Sequence, residues 1–293
     1  MPSTCVDFSK PGPGASPPAK RSSLGAGYSA LVGWGAGRTL PLRLRPLAYR
    51  AFARAVGANL DEAELELAAY PSLGDFFARK LREGSRTIDP SPDAVIAPCD
   101  GVIAARGEAS DGTLVQAKGR MYSLSELLAN EQLAARLQGG DYATIYLSPR
   151  DYHRVHAPIA ARIVAYDYVP GALWPVNPRI ASRRDALLSR NERVVIQLNS
   201  RELGDVALVM VGASGVGNIS LAHGPSSGSF RATGERRRVE LGDRFVERGD
   251  ELGAFRLGST VVMVFQPGAL RLDPPAVGQA VRFGEAIGRR GRS

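Results

Sequence analysis

The sequence predicts an α+β fold, with N-terminal helices followed by a β-rich single domain built from short, mostly antiparallel strands. Three observations carry this. From Pro46 the apolar residues recur at helical spacing. From about Val95 a string of short β-type segments follows, separated by Gly, Pro and Asp. One capped helical stretch interrupts them, and neither an internal repeat nor a composition break divides residues 95–293.

Residues 1–26 are dense in Pro, Gly and Ser, too polar to build a core, and read as a disordered leader without chemistry. Residues 27–92 read as a basic, amphipathic helical region. Within it Leu47, Ala48, Tyr49, Ala51, Phe52, Ala55 and Val56 cover one broad arc, with Arg50 and Arg54 opposite and Pro46 in the first turn. Residues 1–54 hold eight Lys/Arg against one acid, Asp7, so most of the excess positive charge sits here. Such a helix either packs on the domain as an ordinary surface helix or lies on anionic lipid. Leu73–Leu81 also reads as helical. Residues 93–293 form the β-rich domain, with strands expected at Val95–Ile96, Thr144–Leu147, Val194–Leu198, Val206–Val211 and Thr260–Phe265. One helix is expected from Ser123 to Leu137, because Ser123 is followed three residues later by Glu126 as a capping box.

Composition narrows the class. At 293 residues and 44% hydrophobic content the chain buries a substantial core. Its formal charge of +8 favours an anionic partner without choosing which. No run of about 18 apolar residues exists, and no secretory signal opens the chain, so any membrane contact is expected to be peripheral. Cys5 and Cys99 match no disulfide framework or metal spacing, which favours a reducing compartment.

Candidate chemistry begins with histidine. The chain has three, and two fall within His153-Arg154-Val155-His156. Pro149 and Pro158 bracket them and favour an extended or turn conformation, in which positions three apart face opposite ways and serve different partners. No third metal ligand stands at a recognisable spacing, so no metal is expected. Asp100 lies in Ala97-Pro98-Cys99-Asp100-Gly101, a turn that would hold a carboxylate rigidly. Leu257-Gly258-Ser259-Thr260 opens an apolar strand. The run Gly212–Gly217 misses the nucleophile-elbow spacing and fits no dinucleotide fingerprint, so it reads as a tight turn lining the site. His223 and Cys99 read as structural residues.

Taken together, YHRVHAP (Tyr152–Pro158), APCDG (Ala97–Gly101) and LGST (Leu257–Thr260) resemble the signature motifs of bacterial, membrane-associated phosphatidylserine decarboxylases. Similarity extends to Asp75–Asp89, Ala117–Leu128, Val169–Asn177, Arg190–Val195 and Val211–Ile219, and covers roughly residues 28–285. The resemblance implies that Asp100, His156 and Ser259 act as carboxylate, base and nucleophile on the chain's own backbone. Ser259 would attack the carbonyl of Gly258, dividing the chain into fragments 1–258 and 259–293 that remain together as a heterodimer. Ser259 would become a covalent pyruvoyl (pyruvate-derived) cofactor that forms a Schiff base with the serine headgroup of phosphatidylserine. His153 is the candidate proton donor or substrate-facing group. The implied location is the cytoplasmic side of the cell membrane, bound peripherally to an anionic surface, with no nucleic-acid partner.

Two rivals make contrary predictions. A serine hydrolase using Asp100, His156 and Ser259 on an external substrate stays one chain. A basic lipid- or nucleic-acid-binding module leaves the paired histidines and LGST without a role.

Overall fold

The structure is a computed structural model that describes residues 5–6, 37–117, 120–213, 219–231, 233–256, 259–273 and 275–290. The expected leader therefore lies almost wholly outside the described residues, as do Leu257, Gly258 and the Ser214–Gly217 part of the expected turn.

Helices lead, as expected. Helix α1 (Arg45–Val56) has Pro46 in its first turn and stops at Gly57, whose φ of 77° is left-handed. Helix α2 (Leu73–Phe77) is capped by Ser72, which accepts the Asp75 N–H at 3.1 Å. Helices α3 (Leu124–Leu128) and α4 (Glu131–Leu137) lie between strands. In chain order the strands are β1 (Cys5–Val6), β2 (Ala94–Ile96), β3 (Gly101–Glu108), β4 (Thr113–Ala117), β5 (Arg120–Ser123) and β6 (Asp141–Leu147). Then come β7 (Arg154–His156), β8 (Ala161–Val169), β9 (Arg193–Ser200), β10 (Gly204–Gly212), β11 (Ile219–Leu221) and β12 (Arg237–Val246). The last are β13 (Glu251–Phe255), β14 (Ser259–Phe265), β15 (Leu270–Leu272), β16 (Ala280–Val281) and β17 (Ala286–Arg290).

A nine-stranded sheet in the order β1-β12-β8-β9-β10-β14-β6-β3-β16 is the frame, and every pairing in it is antiparallel. Two three-stranded sheets, β11-β13-β7 and β15-β17-β2, and the β4-β5 pair accompany it. The residues of β14 are all buried, which is why its sequence is a continuous apolar run rather than an alternating one. Each such Val or Phe contributes about 1.5–3 kcal/mol by leaving water. The four longer strands expected from sequence are each present, extended by one to three residues.

Three helical expectations need correction. The stretch from Ser123 to Leu137 is two helices, although Ser123 caps the first as expected. Ala129 turns left-handed at φ 49° and Asn130 caps the second helix. The break has a packing cause. An uninterrupted helix burying Leu124, Leu127 and Leu128 would next bury positions 131 and 135, whereas the kink turns Leu133, Ala134 and Leu137 inward. The helix expected over Leu73–Leu81 ends at Phe77, because Arg79 is buried and Leu81 bridges to Ala63 in extended form. The arc on α1 also divides. Tyr49 and Ala53 are buried, and Tyr49, with Ala48 and Phe52, joins a separate small cluster containing Tyr70 and Phe76. Tyr49 stacks on Phe76 at 4.9 Å and 7°. Leu47, Ala51 and Ala55 instead face outward beside Arg50 and Arg54.

Candidate active site

Asp100 ends the bend that follows β2, and is only 7% exposed. Gly101 must follow it, since a Cβ there would stand 2.5 Å from the Tyr146 carbonyl oxygen. The Asp100 carboxylate is gripped by Arg86, whose Nε donates to Oδ1 at 3.0 Å and Nη2 to Oδ2 at 2.5 Å. The Phe283 N–H donates to Oδ1 at 2.9 Å. Arg86 also reaches Glu62 Oε2 at 3.0 Å. Burial works against the Arg86 charge, but the hydrogen bonds it donates to Asp100 and Glu62 outweigh it and push its pKa up.

His156 closes β7, and its N–H donates to the Pro98 carbonyl at 2.8 Å, which lays the strand beside the Asp100 bend. Its Nδ1 is 2.8 Å from the Gly249 carbonyl, an acceptor only, so the proton sits on Nδ1. Nε2 then accepts the Tyr152 hydroxyl at 3.0 Å. Burial holds the Tyr152 pKa up, so that hydroxyl keeps its proton. The ring stacks on Phe283 at 3.9 Å. Burial also lowers the His156 pKa, keeping the imidazole neutral. Both ring nitrogens are thus engaged by groups other than Asp100, and Phe283 touches both side chains, its N–H on the Asp100 carboxylate and its ring on His156.

His153 precedes β7 and is fully buried. Its Nδ1 donates to the Asp151 carbonyl at 2.8 Å, and its ring lies 4.1 Å from Phe77 of α2. Nε2 is a bare lone pair, buried with no partner among the described residues. Burial pushes the His153 pKa down to about 3. The two imidazoles serve different partners, as the extended reading of the tetrapeptide expects.

Ser259 opens β14, paired with Gly212 of β10 on one side and Leu147 of β6 on the other. It is fully buried, and its Oγ has no partner among the described residues. An unmet buried hydroxyl costs about 1–3 kcal/mol, so its presence calls for a reason. The serine is tied to the histidine segment through β13, because the Phe255 N–H donates to the His153 carbonyl at 2.9 Å. β13 belongs to the small sheet and β14 to the large one, and Arg256 is the described residue between them. The fold thus brings the Asp100 bend against β7, and β7 against the strand leading to Ser259. Among the described residues no hydrogen bond joins the Asp100 carboxylate, the His156 ring and Ser259 Oγ.

Comparison with known proteins explains the company these segments keep. The family model described as phosphatidylserine decarboxylase matches residues 73–289. The chain belongs to the phosphatidylserine decarboxylase family. It is 44% identical over 271 residues to a phosphatidylserine decarboxylase proenzyme of Anaeromyxobacter sp. (strain K), covering 92% of this chain and 94% of that one. It is 38% identical to the proenzyme of Myxococcus xanthus (strain DK1622), covering 89% and 92%, and 43% identical to that of Acidovorax ebreus (strain TPSY), covering 85% and 88%. The family is one of carboxy-lyases, and the relatives' name, proenzyme, describes a precursor chain.

Sequence reasoning missed several neighbours of the site. Arg86 and Glu62 around Asp100, Phe283 between Asp100 and His156, and Phe77 against His153 carry no local signal of their roles. Tyr152 was visible inside its motif, but its hydrogen bond to His156 was not. Among the described residues no group of three His, Cys, Asp or Glu side chains is placed to hold a metal ion, and no helix is long and apolar enough to cross a membrane.

Proposed function

We propose that the protein is the precursor of a pyruvoyl-dependent enzyme that decarboxylates phosphatidylserine to phosphatidylethanolamine and carbon dioxide, after cutting itself between Gly258 and Ser259. The observation that carries this is Ser259 itself, a fully buried serine with an unmet Oγ at the first position of a central strand. A hydroxyl kept from water and from partners suits attack on the adjoining backbone carbonyl.

In that step Ser259 Oγ bonds to the Gly258 carbonyl carbon, the C–N bond breaks, and the nitrogen takes the hydroxyl proton, leaving an ester. Loss of the Ser259 α-proton expels the Gly258 carboxylate and leaves dehydroalanine. Its imine tautomer takes up water and releases ammonia, giving the pyruvoyl group. That group supplies an electron sink for the carbanion left as carbon dioxide departs. Position 259 suits it, being buried and flanked on both sides by paired strands. Because β14 lies between β10 and β6, fragments 1–258 and 259–293 stay together as a heterodimer after the cut.

We assign removal of the Ser259 proton to His156, with Asp100 as the supporting carboxylate, and proton transfer to substrate to His153. A second reading exchanges the histidines, and one observation favours it. His153 Nε2 is bare, whereas His156 Nε2 is occupied by Tyr152.

Peripheral attachment to the cytoplasmic face of the cell membrane is part of the proposal. Leu42, Leu44 and Leu47 are 62%, 53% and 68% exposed, next to the exposed Arg43, Arg50 and Arg54, a pattern suited to anionic lipid.

Intact-mass spectrometry of the purified protein, paired with carbon dioxide release from phosphatidylserine vesicles, tests this reading. Two masses are expected, the smaller lighter by one ammonia than the free 259–293 peptide. A single uncleaved mass in active protein would instead support a serine hydrolase.

A further inference from the structure

The ion pair between Asp75 and Arg256 ties the N-terminal helical region to the link that carries Gly258. Asp75 sits in the first turn of α2, and its two carboxylate oxygens have separate tasks. Oδ2 accepts the Ser72 hydroxyl at 2.6 Å while Ser72 Oγ accepts the Asp75 N–H at 3.1 Å, a reciprocal cap that fixes the carboxylate's direction. Oδ1 accepts Arg256 Nη1 at 2.8 Å.

Arg256 follows β13 directly and stands three residues before Ser259. Upstream, β13 is pinned to β7 and to the His153 carbonyl. Downstream, β14 is locked between β10 and β6. Arg256 is the described residue between β13 and β14. Its side chain makes one ion pair, and Nε is buried with no partner among the described residues.

We propose that Asp75 and Arg256 are positioning residues for self-cleavage, a role that rests on the self-cleavage reading above. The pair holds the start of the 256–258 span so that the following carbonyl stays within reach of Ser259 Oγ. Attack within a chain needs near-contact geometry, and a displacement of about 1 Å costs about a hundredfold in rate. The Arg256 and Asp75 side chains are 42% and 31% exposed, so the pair contributes little to global stability. Once the chain is cut, Arg256 lies at the new C-terminal end of the large fragment and no longer bears on position 259. Maturation and turnover should therefore separate.

The test follows cleavage of the full chain during cell-free synthesis on denaturing gels, with melting curves and turnover per matured enzyme. Asp75→Asn keeps an oxygen for Ser72 and removes the charge, and Arg256→Gln removes the other charge from a different element. Each should slow cleavage at least about tenfold, with melting close to wild type and unchanged turnover once matured. The double variant should be no slower than the slower single one, as for residues acting as one unit. Arg256→Lys should recover most of the rate. If Asp75→Asn fails to fold, the two Arg256 variants decide. Wild-type cleavage rates in the charge-removing variants, or slowing that only tracks lost melting temperature, would overturn the pair's role and leave the self-cleavage reading intact. A wild-type chain that stays whole overturns both.

Discussion

Arg86 holds Asp100 by two nitrogens of one guanidinium fork, at 3.0 Å from Nε and 2.5 Å from Nη2. The same guanidinium reaches Glu62, so a nearly buried cation bridges a carboxylate of the helical region and one of the β-rich domain. Removing it leaves two carboxylates facing each other without their shared cation.

Arg86→Ala should therefore lower stability by about 3–5 kcal/mol, the usual cost of leaving a buried charge without its partner. Arg86→Lys keeps the charge but loses the fork, and should fall between it and wild type. Denaturant unfolding of both variants checks this. Equal stability in all three proteins would mean that Asp100 is held by the Phe283 N–H alone.

Acid should weaken the fold through its histidines. The His153 pKa is about 3 in the folded chain, against an ordinary 6.5, and that of His156 is also lowered. Between those values the unfolded chain binds a proton that the folded chain refuses. The contribution is complete above about pH 6.5 and declines as pH falls toward 3, by at most about 1.4 kcal/mol per pH unit for each histidine. Unfolding free energies at pH 7 and 4.5 should differ in that sense, and His153→Gln should shrink the difference. An unchanged difference would mean that His153 is not buried neutral.

The parts of this molecule that sequence revealed are those with a local signature. Val206–Val211 and Thr260–Phe265 read as strands because a strand buried on both faces is an unbroken apolar run. The break at Ala129 was hidden, since Ala carries no preference for the left-handed turn it adopts and the cause is packing of Leu133 and Leu137. Asp100, the histidine pair and Ser259 stood out as motifs. Their partners did not: Glu62, Arg86 and Asp100 meet across tens of residues, and Asp75 and Arg256 across most of the chain. Among 37 cationic side chains, no spacing says which will find a distant carboxylate.

Membrane attachment should depend on side chains that the fold does not use. Leu42, Leu44 and Leu47 project outward, so changing all three to Ser should leave the melting temperature unchanged. Vesicle binding should drop at least about tenfold, since each leucine forgoes part of about 1.5–3 kcal/mol of burial. Binding by the wild-type chain should need anionic lipid and weaken as salt rises. Salt-insensitive binding that survives deletion of residues 1–57 would move the attachment elsewhere.

The two histidines should fail differently. Under the assignment proposed above, His156→Ala remains uncut, whereas His153→Ala is cut at least in part and then does not decarboxylate. The bare Nε2 of His153 makes the opposite pattern the informative alternative. Gels and carbon dioxide release on both variants separate the cases, and equal cleavage defects would show that the roles are shared.

Everything in the proposed mechanism passes through Ser259, so its substitutions discriminate best. Ser259→Ala removes one buried oxygen that has no partner among the described residues. The variant should fold at least as stably as wild type, because burying that hydroxyl costs about 1–3 kcal/mol. It should nonetheless remain a single chain without activity. Ser259→Cys keeps a nucleophile that can make the analogous acyl shift, so slow or partial cleavage is expected, with activity only as far as elimination yields the same pyruvoyl group. In the wild type the small fragment, residues 259–293, should resist N-terminal sequencing, because a ketone replaces its amine. Stability and processing thus move in opposite directions in Ser259→Ala, which a purely structural serine cannot do. Uncleaved wild-type protein that turns over substrate would exclude the pyruvoyl mechanism and return Asp100, His156 and Ser259 to the role of a hydrolase triad.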